Sequence, residues 1–179
     1  MSSITTIRTG FLESDDRLLI DFVFPQETAT FLATRRITRR LIRGLAQILA
    51  NPNSALARVP STHKTEMLIW EHLSSINPTG GALGGGKGAA PGEPPQRNPA
   101  PWPLLHTVNI TALDTVFRLS FESADRKGVT MEMSRQELHR LLANMRQLAR
   151  HAEWDLDAEV SWLVEADSPE AMRPGSLAS

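Results

Sequence analysis

The stretch Val116-Phe-Arg-Leu-Ser-Phe-Glu122 alternates apolar and polar residues, which is the pattern of a strand with one buried face. Asp125-Arg-Lys-Gly128 has the composition of a turn, and Val129-Thr-Met-Glu-Met133 alternates again. Ser134 follows, with Glu137 three residues later, which is the capping-box signature of a helix start. This part of the chain therefore predicts a strand, a turn, a second strand and a helix.

The predicted helix after Ser134 carries its apolar residues on one side. They recur at spacings of three and four residues, which is the period of a helix with one buried face. Its apolar positions are Leu138, Leu141, Leu142, Met145, Leu148 and Ala149. His139 lies outside this stripe, so we expect its side chain on the exposed face of the helix.

The same pattern occurs about 100 residues earlier. A strand over Arg17–Phe24, a turn at Pro25-Gln-Glu27 and an alternating strand lead to Thr34, which precedes Ser134 by 100 positions. The turn must absorb a shift of one residue to keep the upstream strands in phase. At the same offset four residues recur in the two helices: Arg35, Arg40, Leu41 and Gln47 match Arg135, Arg140, Leu141 and Gln147. The sequence therefore predicts an internal repeat.

Each half also has a candidate first strand, at Ser3–Thr9 and at Leu104–Thr111. The predicted fold is α+β, with two βββα repeats that each form a three-stranded antiparallel sheet and a helix. Such a unit leaves one sheet face and its edges uncovered. The two units could pack together about a pseudo-two-fold axis, or each could pair with the same unit of another chain, and the sequence does not decide between them.

The two repeats are separated by a helix and a linker. Lys64–Ile76 reads as a short accessory helix, which Thr62 could cap. Seven of the 11 glycines and seven of the 12 prolines fall between Asn77 and Pro103, a composition typical of a disordered linker. The predicted division of the chain is residues 1–50, first repeat; 51–76, loop and accessory helix; 77–103, linker; 104–152, second repeat; 153–179, an acidic Trp-containing segment with a disordered tail.

Composition and motifs exclude several classes of function. The chain has 179 residues, a formal net charge of −1 and no cysteine, so it has neither disulfides nor thiolate metal sites. No apolar run is long enough to span a bilayer, and the N-terminus lacks the apolar core of a secretory signal, so we expect a cytoplasmic protein without membrane association.

No enzyme constellation is present in the sequence. The five histidines lack metal-ligand spacing, and no serine-nucleophile motif occurs. Gly81–Gly88 matches the spacing of a phosphate-binding loop, but it lacks the Ser or Thr after Lys87 and the flanking strand and helix. We therefore predict a non-enzymatic protein, with no catalytic residues, no cofactor and no metal.

The strongest chemical signal is a cluster of arginines on the first predicted helix. Its apolar residues fall on one face, and the opposite face carries Arg35, Arg36, Arg39, Arg40 and Arg43. Arg35 and Arg36 lie in the first turn, where the helix dipole disfavours cations. This local conflict suggests that the face binds something anionic.

Three interpretations of this arginine cluster remain open. An acidic protein surface could dock there, and one candidate is the segment from Glu153 to Glu170, which has seven acids, no Lys or Arg, and both Trp154 and Trp162. Nucleic-acid phosphate could bind the same guanidinium groups. The cluster could also be a solvated surface.

The sequence favours the first of these interpretations. We predict a binding or assembly module that associates through its helices and sheet edges, with another protein or with itself as a homo-oligomer, and that docks an acidic protein surface. Nucleic acid is the alternative partner. The predicted partner-binding residues are Arg35, Arg36, Arg39, Arg40, Arg43, Trp154 and Trp162.

Overall fold

The computed structural model describes residues 6–51, 60, 63–76, 101–156 and 160–168. The strands in these ranges are β1 (Thr6–Leu12), β2 (Arg17–Val23), β3 (Thr28–Ala33), β4 (Leu105–Ala112), β5 (Phe117–Ser123) and β6 (Gly128–Met133). The α-helices are α1 (Arg35–Ala50), α2 (Lys64–Ile76), α3 (Arg135–His151) and α4 (Ser161–Ala166).

The strands form two antiparallel sheets, ordered β1-β2-β3 and β4-β5-β6, and a long helix follows each sheet. This arrangement confirms the α+β class and the two βββα units. The first strand differs from its prediction, because β1 continues through Gly10 and ends at Leu12 rather than at Thr9. The polar stretch after it forms a short 3-10 turn, in which Asp16 has a φ of 50° and the chain reverses into β2.

The register of the strands shows where the repeat shifts by one residue. In the first sheet Val23 pairs with Thr28, which leaves four residues in the loop between β2 and β3. In the second sheet the last pair is Glu122 with Gly128, which leaves five residues between the paired positions, of which Ser123 still belongs to β5. The longer loop therefore absorbs the shift, and β3, β6 and the helices after them keep an offset of 100 positions.

The two units pack on each other within the chain. Phe22 of β2 and Phe121 of β5 are equivalent positions of the repeat, and their ring centroids lie 4.8 Å apart. A residue that contacts its own repeat equivalent lies beside the pseudo-two-fold axis relating the halves. Both rings are buried in a core that continues through both units.

The long helices exchange partners across this axis. Gly44 of α1 faces Ile110 of β4, whose Cδ1 atom lies 3.6 Å from where a Cβ would stand on that glycine. At the matching position of α3, Asn144 donates a hydrogen bond of 2.9 Å to Thr9 of β1. Each helix therefore contacts the first strand of the other half, which joins the two units into one structure.

The chain enters its second half along the edge of β3. The backbone N–H of Leu32 donates to the carbonyl of Pro103 at 2.9 Å, and Leu32 pairs with Leu104 in the parallel sense. The last residues of the predicted linker are therefore held against the first sheet. Residues 77–100 of that linker, and the phosphate-loop match within it, lie outside the described residues, as does the predicted cap Thr62.

The helix α2 has the bounds that its pattern predicts. Leu68 and Ile69 are buried, whereas Met67 and Trp70 are exposed, because only one side of the helix faces α3. The short helix α4 packs against α2 and buries Trp162 and Leu163. None of the helices in the described ranges is both long and apolar enough to cross a membrane.

Candidate functional site

The arginines of α1 form one exposed surface, which we call the arginine face: Arg35, Arg36, Arg39, Arg40 and Arg43. The opposite side of the helix is buried, at Ile37, Thr38, Leu41, Ile42, Leu45, Ala46 and Leu49. The helix starts at Thr34, whose hydroxyl accepts a hydrogen bond of 3.3 Å from the N–H of Ile37. Burial of the apolar side against the core therefore fixes the direction in which the arginines point.

Little in the described part of the chain compensates the charge of the arginine face. The side chains of Arg35, Arg36, Arg39 and Arg40 form no hydrogen bond or ion pair with it. The first turn of α1 also has no acidic residue, so the unfavourable interaction between the helix dipole and its arginines is not offset locally. Fixed cations without a carboxylate partner are a favourable surface for an anionic ligand.

A groove of about 480 Å³ runs beside the arginine face, between α1 and β4. Arg40 and His106 contribute polar side chains to its lining. Its apolar lining comes from Leu41 and Ile48 on the helix and from Ile110 on the strand. The surface therefore combines cations with an apolar depression that could hold a side chain of a docked partner.

The two tryptophans are occupied within the chain. Trp154 is 4% exposed, and its indole N–H donates a hydrogen bond of 2.8 Å to Asp16. Trp162 is 5% exposed, and its indole N–H approaches the carbonyl of Ala46 on α1 at 3.4 Å. Both rings anchor the acidic segment to its own chain. The arginines of α1 therefore remain as the candidate surface for a partner.

The acidic segment pairs with α3. Asp167 accepts a hydrogen bond of 2.6 Å from Arg146, which is almost fully buried, and a second bond from Arg150. Glu153, Asp155 and Glu165 are exposed, and Asp157, Glu159 and Glu170 lie outside the described residues. Among these described acids, Asp167 compensates cations of α3, and none of them pairs with Arg35, Arg36, Arg39 or Arg40 of α1.

The prediction that His139 is exposed is wrong, because this side chain is 0% exposed. The helix α2 lies over it, and Nδ1 of His72 on α2 is 3.1 Å from Nδ1 of His139. On its other side, Nε2 of His139 is 3.5 Å from the Glu71 carboxylate, to which Arg135 donates a hydrogen bond of 2.7 Å. The ring of Trp162 packs edge-on against His72, with centroids 5.5 Å apart.

This histidine cluster escaped the sequence analysis because its members come from two helices distant in the chain. The available signal was the polar pair Glu71-His72 between the apolar residues Trp70 and Leu73. Within the described ranges, no group of three or more His, Asp or Glu side chains could hold a metal ion. The cluster instead attaches α2 to α3.

The electrostatics of the cluster fix the protonation of His72 and Glu71 at neutral pH. Burial first of all, together with the charges of His139 and Arg146, lowers the pKa of His72 to about 4. Burial would raise the pKa of Glu71, but its interactions with His139 and Arg135 prevail and lower it to about 2. A neutral His72 therefore faces His139, which in turn faces an ionised carboxylate.

Comparison with protein families, with curated proteins and with solved structures gave no match. A function for this protein is therefore inferred from the geometry and the charges of its own residues.

Proposed function

We propose that this protein is a non-enzymatic binding module that docks an acidic protein surface on the arginine face of α1. The observation that carries the proposal is the open arginine face itself, four of whose guanidinium groups have no partner in the described chain. Elsewhere the described arginines of the long helices are paired, as Arg135 is with Glu71 and Arg146 with Asp167. The uncompensated charge is therefore concentrated on one helix.

The contact would use both parts of this surface. Guanidinium groups form paired hydrogen bonds to carboxylates and, as fixed cations, accelerate association with an acidic partner. The groove between α1 and β4 would hold an apolar side chain and contribute affinity by burial from water. A partner with acids around an apolar residue fits both features.

Nucleic acid is the alternative ligand of the same arginines. The helix α1 contains no aromatic residue on which a base could stack, and the chain as a whole is slightly acidic, with a formal net charge of −1. Both features favour a protein partner. A homo-oligomer would have to form through another surface, because two arginine faces repel each other. Self-association and a cytoplasmic location stay predictions.

The test is a pull-down with the full-length protein and its Arg39→Glu/Arg40→Glu variant. The control is Arg126→Glu/Lys127→Glu, which reverses two charges in the exposed loop between β5 and β6. The recovered partner is then purified, and its affinity for all three proteins is measured by calorimetry. We expect the α1 variant to weaken binding about tenfold or more, and the control to leave it unchanged.

Two results would contradict the proposal. One is equal affinity of the partner for the wild type and the α1 variant. The other is a mobility shift of a 20-base-pair DNA duplex at low salt whose salt dependence falls when Arg39 and Arg40 are reversed, since that result assigns the arginines to phosphate.

A further inference from the structure

The helix α2 packs on α3 through a small set of polar contacts. Arg135 donates to the Glu71 carboxylate, and His139 lies between Glu71 and His72. The next residue of α3, Arg140, donates a hydrogen bond of 3.0 Å to the carbonyl of Ser75. Arg135, His139 and Arg140 of α3 thus hold α2 in place.

The pseudo-two-fold axis carries the same three positions onto α1. They become Arg35, Arg39 and Arg40, which are exposed and form no hydrogen bond or ion pair with the described residues. The helices α1 and α3 pack on each other across the axis, but α2 lies chiefly on α3. The N-terminal half of α1 is therefore the unoccupied counterpart of the surface that α2 covers on α3.

We propose that the N-terminal half of α1 is a second helix-docking site, and that its occupant is an acidic helix of a partner protein, placed on α1 as α2 is placed on α3. This inference rests on the proposed function and specifies the form of the partner. It also distinguishes among the arginines, since only Arg35, Arg39 and Arg40 correspond to residues that hold α2.

The differences between the two helices define the chemistry of the occupant. At the place of Glu71, a carboxylate of the partner would lie between Arg35 and Arg39. At the place of His72, the facing group on α1 is the guanidinium of Arg39 rather than the imidazole of His139. Because arginine is permanently charged and only donates hydrogen bonds, a second carboxylate suits this position better than an imidazole.

The buried apolar side of α2 completes the pattern. Leu68 and Ile69 are the residues that α2 buries just before Glu71. The fitting partner helix therefore has two adjacent apolar residues, one solvent-facing residue and then two adjacent acids. The free energy of docking would come from the apolar pair, and the acids would set its position.

A second copy of this chain is a poor occupant. Its α2 has a histidine where the site favours an acid, and that helix already covers α3 of its own chain. A different protein with an acidic helix satisfies the site without these conflicts.

The probe is a fluorescein-labelled peptide of residues 64–76 with His72→Glu. It is acetylated and amidated at its ends and hydrocarbon-stapled between positions 70 and 74, both of which are exposed in α2. The staple is needed because an unconstrained 13-residue helix is only marginally stable in water. Its binding to the full-length protein is followed by fluorescence anisotropy, next to the same peptide with His72 retained.

We expect the His72→Glu peptide to bind the wild type about fivefold more tightly than the peptide with His72, because it adds one carboxylate opposite Arg39. The Arg35→Gln/Arg39→Gln protein should bind the acidic peptide about tenfold more weakly. Arg36→Gln and Arg39→Gln are also compared as single changes, and Arg39→Gln should weaken binding more, since Gln136, the equivalent of Arg36, is exposed and makes no hydrogen bond to α2. The matched control for the double variant is Arg126→Gln/Lys127→Gln, which removes two cations from the exposed loop between β5 and β6. This control should change the affinity less than about twofold.

The possible results separate this inference from the proposed function. If Arg36→Gln weakens the acidic peptide as much as a single change at Arg39, binding follows charge alone; the inference then fails while the proposed function stands. If neither peptide binds but binding of the pull-down partner still requires Arg39 and Arg40, the helix-docking inference is wrong and the proposed function stands. If a 20-base-pair DNA duplex displaces the peptide and binds more tightly, both proposals are overturned in favour of nucleic acid.

Discussion

The imidazoles of His72 and His139 share a hydrogen bond in the interior, between Nδ1 atoms 3.1 Å apart. One ring donates this bond and the other accepts it, with roles set by the tautomers. Protonation of His72 would place a buried positive charge beside Arg146 and the ring of His139. The contact between α2 and α3 is therefore sensitive to acid.

The first prediction concerns the pH dependence of stability. Burial, with His139 and Arg146 nearby, lowers the pKa of His72 from 6.5 to about 4, so the unfolded chain binds this proton more readily than the folded one. The free energy of unfolding should therefore fall as the pH drops from 6.5 towards 4. The loss from this one group is at most about 3 kcal/mol, since one unit of pKa shift corresponds to about 1.4 kcal/mol.

Urea unfolding at several pH values measures this loss. His72→Asn keeps a side-chain donor but cannot titrate, and it should flatten the curve between pH 6.5 and 4. His151→Asn, at an exposed position of α3, serves as the control and should keep the slope of the wild type. Equal slopes for the wild type and His72→Asn would refute the prediction.

The burial of His139 could not be predicted from its own helix. The apolar stripe of α3 identifies the side that faces the core, as the burial of Leu138 and Met145 confirms. A second helix arrives on the other side, from a segment more than sixty residues earlier in the chain. A polar residue gives no sign of such a contact, because its periodicity is that of an exposed position.

At the scale of single elements, the two long helices begin differently. Ser134 and Glu137 form a complete capping box at the start of α3. Thr34 caps α1 with only one side-chain hydrogen bond, and arginines occupy the first turn behind it. The start of α1 is thus the less favourable of the two, and its arginines contribute to this difference.

The second prediction follows from this difference. Arg36→Glu should stabilise the protein by about 0.5 kcal/mol, because it replaces a cation with an anion near the positive end of the helix dipole. Gln47→Glu introduces an anion near the opposite end of α1 and should destabilise by a similar amount. Urea unfolding at pH 7 gives both values, and a change of the same sign in both variants would show that net charge rather than position controls stability.

Strands and helices were predictable where their sequence patterns depend only on neighbouring residues. The alternation in β5 and β6, the capping residues of α3 and the bounds of α2 all follow from neighbouring residues. The end of β1 was not, because Gly10 continues the strand opposite Leu19, beyond the predicted end at Thr9. Tertiary pairing overrides the weak propensity of that residue.

At the scale of the whole molecule, the repeat predicts the presence of two units but not their arrangement. The equivalence of Phe22 and Phe121 follows from the one-residue shift in the loops. That the two rings meet at 4.8 Å is a property of the packed molecule. The sequence also predicts that the arginines of α1 share one face. That this face is equivalent to the surface of α3 under α2 follows only from the pseudo-two-fold axis of the structure.

The third prediction concerns cooperativity between the halves. Phe22→Ala and Phe121→Ala should each destabilise by about 3–5 kcal/mol, since both rings are buried. The double variant should lose about 1 kcal/mol less than the sum of the two, because each single change already removes their mutual contact. Circular dichroism and tryptophan fluorescence should give one coincident urea transition, whereas two separate transitions or strict additivity would contradict a shared core.

The contact between Phe22 and its counterpart Phe121 has a consequence for the symmetry of this chain. Two copies of a shorter polypeptide, each ending after one long helix, could bury the same rings as a homodimer. In such a dimer both helices would have to be covered alike or left bare alike. A single chain that carries both halves is free of this restriction, and here α2 covers α3 while the arginines of α1 stay exposed.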